Sequence, residues 1–286
     1  MNRPYTIDKL ISWTSDYFKK QGIDSPRLDA ELLLAHSLKV SRVQLYVDWN
    51  KPLQEAELST FKTLLKARAA HEPLAYLIGE KEFFSLKFKV NPATLIPRPE
   101  TEHLVEEGLV FLKDRPKSHL LDLATGSGCI LLSLLKHEPS AQGLGVDISK
   151  AALEVAVENA SHLSLSGQVK WQQLDLREAI DWNQSFDLIT ANLPYVSESE
   201  YQSLAEDIKK YEPKQALVPG PSGLESFDWV FTFLPKILKQ GGMALFEIGD
   251  NQGEALLAKT QDYFPTWQKT LLKDLAGKDR VLKLLN

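Results

Sequence analysis

The residue types best suited to chemistry lie together at Asn192, Leu193, Pro194 and Tyr195. The side-chain oxygen of an asparagine and the backbone carbonyl of Leu193 can between them accept both N–H bonds of a planar NH2 group. Pro194 restricts the residue before it to extended geometry, which aims that carbonyl, and the ring of Tyr195 can pack against the planar face. The nitrogen of an amide or an aromatic amine has a delocalised lone pair. Alkylating it requires holding it in line with the electrophile while favouring localisation of that pair. Asn192, Leu193, Pro194 and Tyr195 are therefore the expected catalytic group.

A second constellation precedes it in the chain. Residues 120–130 read Leu-Leu-Asp-Leu-Ala-Thr-Gly-Ser-Gly-Cys-Ile, an apolar strand, a glycine turn and the start of a helix. In open α/β sheets ligands collect at the carboxyl ends of strands, and glycines there let backbone approach them closely. The expected cofactor contacts are accordingly Ala124, Thr125, Gly126, Ser127 and Gly128. Asp147 follows Gly128 by 19 residues and ends the next apolar run beside Ile148. A carboxylate there can accept hydrogen bonds from both hydroxyls of a ribose. A third run ends in Asp175 and Leu176, an acid and an apolar residue placed to flank an adenine. Asn192 completes this set from the fourth.

The type of nucleotide follows from what the turn lacks. A dinucleotide fingerprint needs a third glycine where this chain has Leu131, and no basic residue in the turn could meet a pyrophosphate. No G-x-x-x-x-G-K-[ST] string occurs in the 286 residues. S-adenosylmethionine, with a ribose and a zwitterionic methionine but no phosphate, fits better, and its product would be S-adenosylhomocysteine. Its sulfonium provides the driving force, so neither a metal nor a nucleophilic side chain is required. The six histidines show no ligand spacing, and the single cysteine, Cys129, reads as a small packing residue that cannot form an internal disulfide.

These residues need a scaffold, and the hydrophobic pattern supplies one. Strands expected near 119–124, 143–148, 169–174, 186–191 and 243–248 alternate with helical segments, which implies a mostly parallel, doubly wound sheet. Two further strands near 268–272 and 280–284 have no long helix between them and should pair antiparallel at one edge. Ahead of the sheet, residues 1–75 read as helices only. Thr6 is a candidate cap for a helix carrying Ile7, Leu10, Ile11 and Phe18 at helical spacing. Ser25 and Pro26 open another, with Leu28, Leu32, Ala35 and Leu38 expected on its buried face. A shorter element near 41–47 precedes a longer helix at 53–70 that carries Leu58, Phe61, Leu64 and Leu65. Between the two regions, residues 82–90 read as a β-hairpin with Phe83, Phe84, Phe88 and Val90. The expected organisation is a helical domain at 1–75, a linker with the hairpin at 76–100, and a catalytic domain at 101–286.

Bulk properties exclude several classes. Residues 1–80 carry 11 Lys and Arg against 10 Asp and Glu, and residues 81–286 carry 22 against 28, net charges of +1 and −6. Neither part has the basic excess of a protein that neutralises many phosphates, so extended nucleic-acid binding is not expected. No run approaches the roughly 20 apolar residues that span a bilayer. The N-terminal stretch MNRPYTIDKLISW lacks the pattern of a secretory signal. A cytoplasmic protein with no membrane partner is the expectation.

Several further strings complete an ordered set. They are Glu72-Pro73-Leu74-Ala75-Tyr76-Leu77, Ile96-Pro97-Arg98-Pro99-Glu100-Thr101-Glu102, Tyr211-Glu212-Pro213, Glu247-Ile248-Gly249 with Gln252-Gly253, and Gly277-Lys278-Asp279-Arg280-Val281. Together with the glycine turn and Asn192 to Tyr195, the chain resembles the PrmC/HemK family, release-factor glutamine methyltransferases, over nearly its whole length. The resemblance implies a class I S-adenosylmethionine-dependent methyltransferase fold, Rossmann-like, with a seven-stranded mostly parallel sheet. It also implies methylation of the glutamine in the Gly-Gly-Gln motif of peptide chain release factors, with the helical domain gripping that protein. Two positions depart from the family pattern. Ala124 stands where the turn usually has its first glycine, and Leu193 replaces the first of two prolines while keeping its carbonyl.

Other readings use the same residues. An adenine amino methyltransferase could clamp the exocyclic amine of a flipped base in the same way, although the charge balance disfavours it. A ribosomal-protein glutamine methyltransferase would share the catalytic arrangement, and an inert module could bind S-adenosylmethionine without turnover. Haem chemistry, suggested by the older family name, has no flavin fingerprint or axial ligand to support it. Arg98, Glu100 and Glu102 stand equally as cofactor-facing groups or as an interdomain ion-pair cluster.

Overall fold

A computed structural model describes residues 5–178 and 182–286. The first four residues of the N-terminal stretch lie outside them. The chain divides into two compact units, Met1–Gly79 and Glu80–Asn286.

The first unit holds helices α1 (Ile7–Lys20), α2 (Pro26–Leu38), α3 (Arg42–Val47), α4 (Glu55–Ala69) and α5 (Leu74–Ile78). Ile11, Phe18, Leu33, Leu34 and Phe61 are fully buried at its centre. Thr6 occupies the N-cap position of α1, but its hydroxyl is directed to the Asp8 carboxylate instead of a helix N–H. The expected face of α2 is displaced. Ala30, Leu33, Leu34 and Ala35 are buried, Leu32 and Leu38 are half-buried, and Leu28 is exposed. The cause is that α2 touches α1, α3, α4 and α5, and a helix covered on several sides loses the single apolar stripe that periodicity detects.

This unit also buries two carboxylates, each beside arginine. Asp29 accepts a 2.7 Å bond from Arg68 Nε. Glu31 accepts from Arg27 Nε at 3.0 Å, Arg42 Nε at 2.7 Å and the Tyr46 hydroxyl at 2.7 Å.

The second unit opens with the hairpin β1 (Glu80–Phe83) and β2 (Leu86–Lys89). Its two central residues, Phe84 and Ser85, have φ of 49° and 59°, the left-handed pair that tight antiparallel turns demand. Next come α6 (Glu102–Leu112), β3 (His119–Leu123), α7 (Cys129–His137), β4 (Gln142–Asp147), α8 (Lys150–His162), β5 (Val169–Gln173) and β6 (Phe186–Ala191). The chain continues through α9 (Glu198–Ser203), α10 (Glu206–Tyr211), α11 (Glu225–Ile237), β7 (Leu238–Glu247), α12 (Gly253–Tyr263), β8 (Gln268–Lys273) and β9 (Asp279–Leu285).

These strands form one sheet in the order β5-β4-β3-β6-β7-β9-β8. All pairs are parallel except those made by β9. The class I methyltransferase fold expected above is therefore present, including the antiparallel pair at one edge. β7 begins at Leu238 instead of near 243, because Phe186 already pairs with Leu238 ahead of a register irregularity.

Beyond that irregularity, side chains alternate across this sheet. Leu121, Leu123, Ile189, Ala191, Ala244 and Phe246 pack on one face with α11 residues such as Phe227 and Phe231. Leu120, Leu188, Met243 and Leu245 pack on the other with α6 and α7. By the same alternation Asp122, Thr190 and Glu247 fall on this second face, near the carboxyl ends of their strands. Strand order reverses between β3 and β6, the position at which open α/β sheets form their ligand crevice.

Candidate active site

The crevice holds a cavity of about 220 Å³ formed by the ends of β3, β4, β5 and β6 and the loops that follow. Ala124, Thr125, Gly126, Ser127, Asp147, Ile148, Asp175, Leu176, Asn192, Leu193 and Pro194 all line it. Gly128 and Tyr195 do not.

Local geometry explains the turn after β3. Gly126 has φ of 56°, and a Cβ built on it would meet nothing nearer than the Ala124 carbonyl at 4.0 Å. Its missing side chain thus leaves backbone open to the cavity. Gly128, at φ 79°, starts α7, and a Cβ there would lie 2.9 Å from Trp171 and 3.1 Å from Leu132. Packing of the helix against Trp171 thus requires glycine there. Ala124 also has a positive φ, 53°. The departure from glycine there costs backbone strain of about 1–2 kcal/mol, not only the space of one methyl group.

Three polar side chains, two of them buried, pin this turn. Asp122 is fully buried and accepts from Thr125 Oγ1 at 2.5 Å and Thr190 Oγ1 at 2.7 Å. The register that pairs Asp122 with Thr190 across β3 and β6 makes the second bond possible. Burial with no cation against it pushes Asp122 up to about 7, despite both hydroxyls. Asp147 accepts Gly126 N–H on Oδ2 and Ser149 N–H on Oδ1, both at 2.8 Å. Each of its oxygens keeps a lone pair for a ligand hydroxyl, and burial raises its pKa. Asn159 completes the set by donating to the Ser127 carbonyl at 2.9 Å.

The third strand end differs from expectation in one respect. Asp175 is held by Arg177 through contacts of 2.5–3.0 Å, and these hydrogen bonds lower its pKa. The acid flanking the cavity is thus one half of an ion pair, and Arg177 lines the cavity with it.

At the end of β6, Asn192 donates from Nδ2 to Thr101 Oγ1 at 3.2 Å. Thr101 donates in turn to Glu247 Oε2 at 2.6 Å, and the Tyr195 hydroxyl donates to Glu247 Oε1 at 3.1 Å. With its amide nitrogen so committed, Asn192 keeps its oxygen for another donor. The Pro194 carbonyl accepts from Ser226 Oγ at 2.6 Å and that of Tyr195 from Gln252 Nε2 at 2.8 Å. No donor among the described residues reaches the Leu193 carbonyl. Tyr195 was expected to stack on the substrate. Its phenol donates to Glu247, as a poorly solvated tyrosine hydroxyl must find a partner, which leaves the ring face uncommitted, and burial beside that carboxylate raises its pKa. Glu247 is itself raised by burial, against the two hydroxyls that favour its charged form.

Arg98 lines the cavity and also pairs with Glu212 at 2.5 Å, while Glu212 accepts the Ile96 N–H at 3.2 Å. Both are in the second unit, so this ion pair is not an interdomain one. Glu102 accepts the Phe84 N–H at 2.9 Å and Glu100 is exposed. Sequence reasoning assigned no role to Thr101, Asp122, Thr190, Ser226 or Glu247. One signal was available for two of them: Asp122 and Glu247 are single acids in the apolar runs 120–124 and 243–248, where a carboxylate must find donors.

The chain matches two protein families, PrmC N-terminal domain over residues 9–79 and Methyltransferase domain over residues 114–285. It is 38% identical over 285 residues to the release factor glutamine methyltransferase of Rhodopirellula baltica, covering 98% of this chain and 96% of that one. It is 37% identical over 278 residues to the protein of the same name from Nitratidesulfovibrio vulgaris, covering 97% and 94%. Among solved structures it resembles a methyltransferase from Pyrococcus furiosus at 19% identity and TM-score 0.50, covering 72% and 91%. It also resembles the hMettl16 catalytic domain in complex with a MAT2A 3'UTR hairpin, at 15% identity and TM-score 0.56, covering 77% and 80%. Those two likenesses speak to the fold alone. Identity of this degree along nearly the whole chain carries the assignment: the chain belongs to the release factor glutamine methyltransferase family.

Proposed function

We propose that this protein transfers a methyl group from S-adenosylmethionine to the side-chain amide nitrogen of the glutamine in the Gly-Gly-Gln motif of peptide chain release factors, in the cytoplasm. One observation carries the reading. The Asn192 amide is anchored through its nitrogen, so that its oxygen and the Leu193 carbonyl stand as two acceptors for the two N–H bonds of one NH2 group. The glycine turn, the open backbone at Gly126 and the spare lone pairs of Asp147 fit a cofactor with ribose hydroxyls and no phosphate.

S-adenosylmethionine, when bound, supplies an electrophilic methyl group and leaves as S-adenosylhomocysteine. The protein's part is positional and electrostatic. Asn192 and Leu193 fix the plane of the substrate amide, and acceptance of both N–H bonds raises electron density on its nitrogen as the C–N double-bond character is lost. Ser226 and Gln252 hold the loop through the next two carbonyls, so the acceptors are rigid before substrate arrives. The methylated amide is strongly acidic until it sheds a proton, which passes to water. The helical unit contributes the grip on the protein substrate.

Purified protein incubated with labelled S-adenosylmethionine and either a bacterial-type release factor or duplex DNA tests the substrate. Label is expected on the release factor and lost when its glutamine is replaced. Label on DNA alone refutes the assignment. Asn192→Ala should lower kcat by about 100- to 1,000-fold, the scale of one lost transition-state hydrogen-bonding group, with cofactor affinity largely kept.

A further inference from the structure

Which end of the Asn192 amide faces the cavity decides whether a substrate NH2 group is accepted or opposed. An amide side chain offers an acceptor at one end and two donors at the other, and the two ends have nearly the same shape. Packing alone therefore does not select between them. We propose that Glu247 and Thr101 form a polarity relay that sets the Asn192 amide with its oxygen toward the cavity. This rests on the function proposed above.

The relay follows from donor and acceptor inventory. Glu247 and Thr101 are 3% and 2% exposed, so water does not compete for their polar atoms. A carboxylate only accepts, and Glu247 is met by two hydroxyls, Thr101 on Oε2 and Tyr195 on Oε1. The threonine hydroxyl has one proton, and the 2.6 Å bond to Glu247 uses it. Toward Asn192, Thr101 can then act only as an acceptor. The group at 3.2 Å must accordingly be the Asn192 NH2, and the oxygen is left for the cavity. Replacing Glu247 by a group that donates to Thr101 frees the threonine proton. Thr101 can then donate to the asparagine oxygen, and the Asn192 NH2 group swings toward the substrate NH2, donor against donor.

The elements that make this juxtaposition are distant in sequence. Thr101 ends the 3₁₀ turn Pro99–Thr101 ahead of α6, Glu247 ends β7, and Asn192 follows β6. None of the three bonds depends on a ligand. Thr101 and Glu247 are thus positioning residues, acting through Asn192.

The test compares Glu247→Gln, Thr101→Val and Thr101→Ser with Asn192→Ala in the full-length protein. Readouts are kcat and KM for the release factor, Kd for S-adenosylmethionine by calorimetry, and Tm. Glu247→Gln and Thr101→Val should each lower kcat at least about 10-fold while Kd stays within about threefold of wild type. Thr101→Ser keeps the hydroxyl and should recover most of the rate. The double variant Thr101→Val/Glu247→Gln should be no slower than the worse single one, because both act on one amide. A purely structural role predicts instead that serine and valine fail alike and that kcat tracks Tm. If Glu247→Gln does not fold, valine against serine at position 101 decides. Wild-type kcat in Glu247→Gln and Thr101→Val, with Asn192→Ala inactive, removes the relay and leaves the proposed function standing. Full turnover in Asn192→Ala removes Asn192 from the mechanism and the relay with it, whereas no label on the release factor from wild-type protein removes the proposed function itself.

Discussion

Two buried carboxylates of each unit are met by different kinds of donor. In the helical unit Asp29 and Glu31 are answered by the guanidinium groups of Arg68, Arg27 and Arg42. In the sheet unit Asp122 and Glu247 are answered by the hydroxyls of Thr125, Thr190, Thr101 and Tyr195. The consequence shows in their protonation. Burial acts on Glu31 as well, but hydrogen bonds from Tyr46 and Arg42 more than offset it and leave Glu31 below its ordinary value. Asp122 and Glu247 have no such cation in contact and are raised by burial. A cation neutralises a buried charge and fixes architecture. A hydroxyl passes on direction, because its one proton commits it to one role at its other neighbour. Around Asp122 and Glu247 the sheet unit uses hydroxyls, where orientation matters to the cavity, while its buried Glu212 is held by Arg98 in the manner of the helical unit.

Three measurements sharpen or break this contrast. The largest effect is expected at Arg68. Arg68→Met strands Asp29 without its cation and should cost about 3–5 kcal/mol in urea denaturation, with kcat of the folded enzyme kept. A stability within about 0.5 kcal/mol of wild type would mean that Asp29 does not depend on the pair.

Asp122 should show a slope with pH. A carboxyl raised from 3.8 to about 7 keeps its proton in the native state through that window while the unfolded chain has lost it. The native state then binds more protons, and stability falls as pH rises, by about 1.4 kcal/mol per unit. Asp122→Asn removes this slope, so its stability relative to wild type should climb between those pH values and level off above. A difference that is flat with pH would place charge on Asp122 throughout.

The smallest effect is of opposite sign. Glu31, held below its ordinary 4.5, contributes stability that is present above that value and lost as pH falls through its native value. Glu31→Gln should therefore be destabilised near neutral pH, and its deficit should shrink in acid. Parallel pH curves for Glu31→Gln and Asp122→Asn would erase the distinction between the two kinds of burial.

Much of the architecture was legible in the chain. Short apolar runs alternating with helical segments marked the strands, and the glycine turn, Asp147 and Asn192 were placed at successive strand ends by their order alone. Legibility failed where an element has several neighbours. The face of α2 was misjudged because it is covered by four other helices. The packing need for glycine at 128 was not legible either, since Trp171, whose ring imposes it, comes from β5. The hydroxyl partner of Tyr195 was not legible, because no local feature reveals Glu247, 52 residues away.

The sequence by itself determined the alternation of strands and helices, the family, and the place of Asn192 to Tyr195 directly after an apolar strand, since those depend on near neighbours and on periodicity. Only the tertiary structure decided what the buried acids do. Thr101 meets Asn192 across 91 residues and Glu247 across 146. A carboxylate within an apolar strand states that donors are needed, but which hydroxyls arrive, and which way their protons then point, is settled when the strands pair and the chain closes around them.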